Sequence, residues 1–367
     1  MKGVTLQYEG ISLVDKETIL SEGGRLQEYR KILAEVLSNR DYEKDEASLL
    51  LPDADLGVID AALDSYKSDS IKYVVVVGIG GSSLGTEGLY RALLGDSYTT
   101  GPGAPKMLFL DTIDSRHTAN ILAQIEHNVK DKDEIVINLI SKSGGTTETI
   151  VNFEVLFREL SEHIGDITSR TIVTTGEGSE LWEQAHKKGM LVLPIPKKVG
   201  GRYSVFSAVG LFPLGLCGVN IKELLSGAKD ARDMCLIDKV EDNPAMIRAA
   251  LHYIKSLEGM SIHNSFFFNP ELEYVGKWYR QLMGEGIGKE KDNNGKVVRN
   301  GITPLVSIGS TDLHSVAQLY LGGPRDKMTT FIYAKTFNEG LRVPDNKVFN
   351  LLPRLEGKGL TDVMNAI

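Results

Sequence analysis

Apolar residues along this chain come in two rhythms. Residues 73–78 (YVVVVG) form an unbroken β-branched run, the pattern of a strand buried on both faces. Shorter runs of the same kind follow at 107–111 (MLFLD), 134–140 (EIVINLI), 171–174 (TIVT) and 190–195 (MLVLPI). Between them lie stretches with helical spacing, such as 148–160, where Ile150, Phe153 and Phe157 mark one face. Strands that alternate with helices predict a parallel, doubly wound α/β sheet. Residues 1–70 read as helical and charged, with no recognisable chemistry.

A second alternating series starts further along. It predicts a helix over 245–257, a strand over 262–268, a helix over 271–285 and a strand over 304–308. A helix over 314–321, stopped by Gly322-Gly323-Pro324, and a strand over 330–333 complete it. Residues 200–243 bridge the two series and include an apolar helix expected over 205–216. The expectation is two α/β domains in tandem: 1–70 as an N-terminal helical segment, 71–199 as the first domain, 200–243 as connector and 244–367 as the second. The 367 residues suffice for two such cores.

Composition narrows the function classes. Hydrophobic residues are 42% and charged residues 25%, the balance of a globular protein. A net charge of −8 argues against nucleic acid as a partner, so an anionic ligand must be held by a local site. The two cysteines, Cys217 and Cys235, and seven scattered histidines form no metal-spaced cluster, which fits a reducing, cytoplasmic compartment. No apolar run reaches the ~18 residues of a membrane span, and the first twenty residues carry charges throughout, unlike a signal peptide.

Five segments concentrate residue types that bind or move charge. Gly78-Ile79-Gly80-Gly81-Ser82-Ser83-Leu84-Gly85 follows a buried strand, and its glycines let backbone approach a ligand at a helix start. Ser83 stands where a dinucleotide fingerprint needs Gly or Ala; a tight turn that binds nothing is the other reading. Ser141-Lys142-Ser143-Gly144-Gly145-Thr146-Thr147-Glu148-Thr149 crowds five hydroxyls onto one helix start, where an N-cap needs one. The surplus suits a phosphate, although the P-loop order is missing, which favours a phosphorylated small molecule over a nucleotide. A bland Ser/Thr-rich loop is the alternative.

In Gln281-Leu282-Met283-Gly284-Glu285-Gly286, Gln281 and Glu285 share a helix face. A carboxylate flanked by glycines can be approached closely, and a helix C-terminus disfavours its charged form, as suits a base. A solvated surface Glu is the commoner alternative. His314, in Gly309-Ser310-Thr311-Asp312-Leu313-His314, is expected near a helix start, where an imidazole stays neutral and can relay a proton. A structural histidine is the alternative. Arg202, in Gly200-Gly201-Arg202-Tyr203-Ser204, suits an oxyanion or an ordinary ion pair.

Together, the ordered motifs VGIGGSSLG, SKSGGTTET, GGRYSVFSAVGL, QLMGEGIGK and GSTDLHSVAQL resemble the glucose-6-phosphate isomerase (phosphoglucose isomerase) family, of the shorter prokaryotic kind. The likeness runs from about Tyr73 to Thr330. It implies two sugar-isomerase (SIS-type) α/β domains, a homodimer, and interconversion of glucose 6-phosphate and fructose 6-phosphate without metal or organic cofactor. It implies that Glu285 shuttles the proton between C1 and C2, that His314 assists ring opening from across the dimer interface, and that Arg202 stabilises the enediolate. Ser141, Ser143, Thr146 and Thr149, with Lys142 and Gly144 of the same loop, match the phosphate-binding segment; Gly81, Ser82 and Gln281 match further substrate contacts. The family's ring-opening lysine sits in a C-terminal G-V-E-x-G-K motif. Lys327, Lys335, Lys347 and Lys358 lie outside any such motif, so binding with slow turnover is the expectation. Alternatives are an isomerase for another sugar phosphate and a non-catalytic phosphosugar-binding module.

Overall fold

The computed structural model describes residues 4–95, 104–334, 340–345, 348–349 and 351–367; Lys335 and Lys347 lie outside this set. The chain divides into two compact units, Met1–Ile254 and Lys255–Ile367. In the first, helices α1 (Lys16–Gly24), α2 (Gln27–Asn39) and α3 (Gly57–Tyr66) precede the sheet. There follow β1 (Tyr73–Val77), α4 (Leu84–Leu94), β2 (Lys106–Leu110), α5 (Ser115–Asn128) and β3 (Ile135–Ser141). Then come α6 (Thr147–Ile164), β4 (Thr171–Gly176), α7 (Glu180–Lys187) and β5 (Leu191–Ile195), and finally α8 (Ala208–Leu216), α9 (Ile221–Cys235) and α10 (Pro244–Leu257). The division between the units falls inside α10.

The five strands pair in the order β2-β1-β3-β4-β5, all parallel. Alternation explains the unbroken apolar run of β1. Val74 and Val76 pack on one face with Tyr66 of α3, Tyr90 of α4 and Phe212 of α8. Tyr73, Val75 and Val77 pack on the other with Ile125 of α5 and Leu156 of α6. With both faces covered, every position of β1 is buried, and a polar side chain there needs a hydrogen-bond partner, as Asn138 of β3 has in Thr174.

The expected helix over 205–216 is two elements. Residues Gly201–Phe206 form a 3₁₀ turn, and α8 starts at Ala208. The break is chemical: the Ser207 hydroxyl accepts from the Val209 amide at 3.3 Å and donates to the Ser204 carbonyl, capping a new helix. All nine residues of α8 are buried, and each fully buried Leu or Phe contributes about 1.5–3 kcal/mol.

His252 on α10 gives this unit an acid-sensitive point. Burial, and then the Arg248 charge beside it, push its imidazole down to about 4 from its ordinary 6.5. Between those values the unfolded chain takes up a proton that the folded chain refuses. Stability is therefore full above pH 6.5 and falls as the pH drops towards 4. The loss should be about 2 kcal/mol between pH 7 and pH 5. Urea unfolding at pH 7 and pH 5 checks this: His252→Gln should flatten the difference, and an unchanged difference would contradict the assignment.

The second unit holds β6 (Ile262–Phe267), α11 (Glu273–Ile287), β7 (Lys289–Lys291), β8 (Val297–Asn300) and β9 (Thr303–Ile308). It continues with α12 (Ala317–Gly322), β10 (Lys327–Ile332) and α13 (Leu360–Ala366). Three strands form a parallel sheet in the order β10-β6-β9. Helix α11 packs on it at Gly276, where a Cβ would lie 2.6 Å from the Phe267 ring and 2.8 Å from Val306. The antiparallel hairpin β7–β8 has no counterpart in the apolar pattern, because every residue of both strands is exposed.

Candidate functional site

In the first unit the sheet order itself marks a place for a ligand. Adjacent strands β1 and β3 send their chains opposite ways, β1 through α4 to β2 and β3 through α6 to β4. Helix α4 lies with one core and α6 with the other, and it is beyond the carboxyl ends of two such strands that open α/β sheets bind their ligands. The glycine-rich segment leaves β1 and the hydroxyl-rich segment leaves β3 at this edge. They start in close contact: a Cβ on Gly78 would lie 3.1 Å from the Ile140 carbonyl oxygen.

The hydroxyls after β3 do not cap α6. Thr146 occupies the N-cap position without a side-chain cap bond; its Oγ1 instead lies 3.0 Å from Ser141 Oγ. Thr149 Oγ1, in the first turn, has no hydrogen-bond partner among the described residues. The first amides of an 18-residue helix thus stand beside several hydroxyls, a combination that takes an anion at the positive dipole end. Gly144 makes the turn possible at φ +75°, and Gly145 N donates to Ser143 Oγ at 3.4 Å. The Lys142 ammonium, held below its ordinary range by burial, donates to the Val199 carbonyl at 2.8 Å.

Val199 leads directly into the turn that carries Arg202. That turn and Gly80–Ser82 are both 3₁₀ turns, and they abut. A Cβ on Gly81 would lie 2.3 Å from the Gly201 carbonyl carbon and 2.4 Å from the Arg202 amide nitrogen. Only glycine allows this approach. Ser204 Oγ donates to the Gly201 carbonyl at 2.7 Å, and the Arg202 guanidinium lies 4.7 Å from the centre of the Tyr203 ring. Gly81, Ser82, the 141–149 segment and Arg202 therefore belong to one edge of one unit, which local sequence could not establish.

Gln281, Glu285 and His314 belong to the second unit. Glu285 sits exposed in the last turn of α11, where Gln281 Nε2 donates to its Oε1 at 2.9 Å and Lys289 Nζ to its backbone carbonyl at 2.9 Å. Gln281 Oε1 has no partner among the described residues. A Cβ on Gly284 or Gly286 would meet nothing within 4 Å, so packing does not require these glycines.

His314 departs from expectation. It ends a 3₁₀ turn, Thr311–His314, and α12 begins only at Ala317 and spans six residues. Asp312 closes that turn by accepting from the Ile308 amide at 2.7 Å and the Ser315 hydroxyl at 2.8 Å. The imidazole is exposed and precedes a helix too short for a strong dipole.

Among the described residues no His, Cys, Asp and Glu group is arranged to hold a metal ion, and no helix is long and apolar enough to cross a membrane. Cys217 is buried and Cys235 half-buried, both as free thiols.

Comparison with known proteins gives the family and the fold. The family model for phosphoglucose isomerase matches residues 58–349. Glucose-6-phosphate isomerase of Methanocaldococcus jannaschii is 37% identical over 281 residues, 76% of this chain and 65% of that protein. The enzyme of the same name from Carboxydothermus hydrogenoformans is 34% identical over 300 residues, 80% of this chain and 63% of that one. The chain thus spans just under two thirds of the length of these curated relatives. Among solved structures, a hypothetical protein of Thermus thermophilus superposes with a TM-score of 0.82 at 27% identity, covering 95% of this chain and 80% of that one. A Chlamydia trachomatis glucose-6-phosphate isomerase shares the fold, with a TM-score of 0.72 at 23% identity over 85% of this chain and 57% of that one.

Proposed function

The chain belongs to the phosphoglucose isomerase family, and from that premise we propose that it interconverts D-glucose 6-phosphate and D-fructose 6-phosphate, a step of glycolysis and gluconeogenesis. The observation that best supports this is the abutment of the Gly81 and Arg202 turns at the edge that bears the phosphate-type loop. Ser141, Lys142, Ser143, Gly144, Thr146 and Thr149 hold the phosphate through hydroxyls and backbone N–H groups, and Gly81, Ser82 and Gln281 contact the sugar. Phosphate is remote from the reacting carbons, so its binding energy orients the open-chain sugar in the transition state.

Glu285 removes the proton from C2 of the aldose and returns it to C1, giving the ketose by way of a cis-enediolate. Arg202 faces the negative charge that grows on the enediolate oxygens. His314 carries the proton needed for ring opening and enters from the other subunit of a homodimer. The reaction is proton transfer between side chains and sugar, with no cofactor called for. Residues 71–199 and 244–367 serve as the two sugar-isomerase domains, with 1–70 and 200–243 as helical segments, in a cytoplasmic enzyme.

Phosphate anchoring can be tested apart from turnover. Thr146→Val removes one hydroxyl from the loop and should weaken fructose 6-phosphate binding about tenfold, as expected for a hydrogen bond to a charged group. In calorimetry, unphosphorylated fructose should be a far poorer ligand than its 6-phosphate. Equal binding of the two sugars would remove the anchor from the proposal.

A further inference from the structure

The Lys142 side chain does not end in the hydroxyl-rich loop. Its ammonium donates to the carbonyl of Val199, the residue just before the Gly200-Gly201-Arg202 turn. Its own carbonyl accepts from the Gly176 amide at the end of β4 at 3.2 Å, and a Cβ on Gly176 would lie 2.8 Å from that oxygen. One residue thus ties together the end of β3, the end of β4 and the segment that follows β5. We propose that Lys142 is a positioning residue that couples the phosphate loop to the Arg202 turn through its bond to Val199, so that anion binding and enediolate stabilisation are held in one register. On its other flank the Arg202 turn is seated on the backbone of Gly81, whose carbonyl accepts from Ser204 Oγ at 3.5 Å. A charged donor on a carbonyl is among the stronger hydrogen bonds, which suits a strut across two loops.

The proposal rests on the isomerase reading for its kinetic readout, so the test also includes readouts that do not need turnover. Lys142→Met keeps the aliphatic stem and removes the donor; Lys142→Arg keeps a donor. Displacing a charge-stabilising group without removing it should lower kcat for fructose 6-phosphate about tenfold in Lys142→Met, with recovery in Lys142→Arg. The calorimetric Kd for inorganic phosphate should change by less than about threefold, because no phosphate contact is lost. On an Arg202→Ala background, Lys142→Met should add no further loss of kcat. Backbone amides of 199–204 should exchange hydrogen faster in Lys142→Met than in the unaltered chain.

A tenfold or larger rise in phosphate Kd with kcat retained would overturn the proposal, because the ammonium would then bind the anion itself. Losses that multiply in the double variant would overturn it too. If the unaltered chain binds phosphate without isomerising sugar, the isomerase reading fails and amide exchange decides alone: faster exchange at 199–204 supports the strut, and unchanged exchange refutes it. If Lys142→Met does not fold, Lys142→Gln carries the same readouts.

Discussion

Glu285→Gln is expected to lower kcat for fructose 6-phosphate by on the order of 10²–10⁴-fold, with substrate affinity almost unchanged. The substitution is nearly isosteric, and its amide oxygen can still accept the Gln281 Nε2 hydrogen bond that reaches Glu285 at 2.9 Å. Side-chain placement is therefore retained while the proton acceptor is lost. Glu285 is exposed at the end of α11, and Gly284 and Gly286 beside it face open space, so no buried network should collapse. A coupled assay gives kcat and KM, and calorimetry gives Kd for the same protein. Incubation in deuterium oxide adds a direct view, because exchange of the C2 hydrogen of glucose 6-phosphate should vanish with the base. Turnover like that of the unaltered chain would take the proton-transfer role away from Glu285.

The second large effect is expected at a residue with no side chain. Gly81→Ala adds a Cβ where the Gly201 carbonyl carbon lies 2.3 Å away and the Arg202 amide nitrogen 2.4 Å away. Both neighbours are backbone, so relief requires one turn to move off the other by about an ångström. Misplacement of that size costs about 10²-fold in kcat/KM, and overpacking costs about 1–3 kcal/mol of stability. Gly227→Ala on α9 is the control, since a Cβ there meets nothing within 4 Å and alanine favours the helix. Gly81→Ala should lose activity by kinetics and stability by urea unfolding, whereas Gly227→Ala should lose neither. Full activity in Gly81→Ala would mean that the two turns do not work as one unit.

Sequence and structure agree where the deciding physics is local. The β1 run is legible because a strand covered on both faces is mostly apolar, and the 141–149 loop because hydroxyls there exceed what a helix start needs. Contacts between segments distant in the chain leave no such trace. That Gly81 is glycine because Gly201 and Arg202 lie against it is a tertiary fact; in sequence each of the two turns shows only a glycine pair. The bond from Lys142 to Val199 is invisible for the same reason. The β7–β8 hairpin escapes the apolar pattern because hydrophobic alternation carries no signal in an exposed ribbon. Its usable signal is Asn294-Gly295, where Gly295 turns at φ +82° and Asp292 Oδ1 accepts from the Asn294 and Lys296 amides at 2.9 and 3.0 Å. At His314, apolar spacing points to a helix but cannot show that Asp312 closes a separate turn ahead of it.

The proposed reaction moves a proton between C1 and C2 of a sugar phosphate. The most direct test follows fructose 6-phosphate by NMR in the presence of the purified 367-residue chain, beside its Glu285→Gln variant at equal concentration. Glucose 6-phosphate is expected to accumulate to equilibrium with the unaltered chain and only at a trace rate with the variant, although both bind the substrate. Conversion at equal rates by the two proteins, or none by a folded chain that binds fructose 6-phosphate, would contradict it.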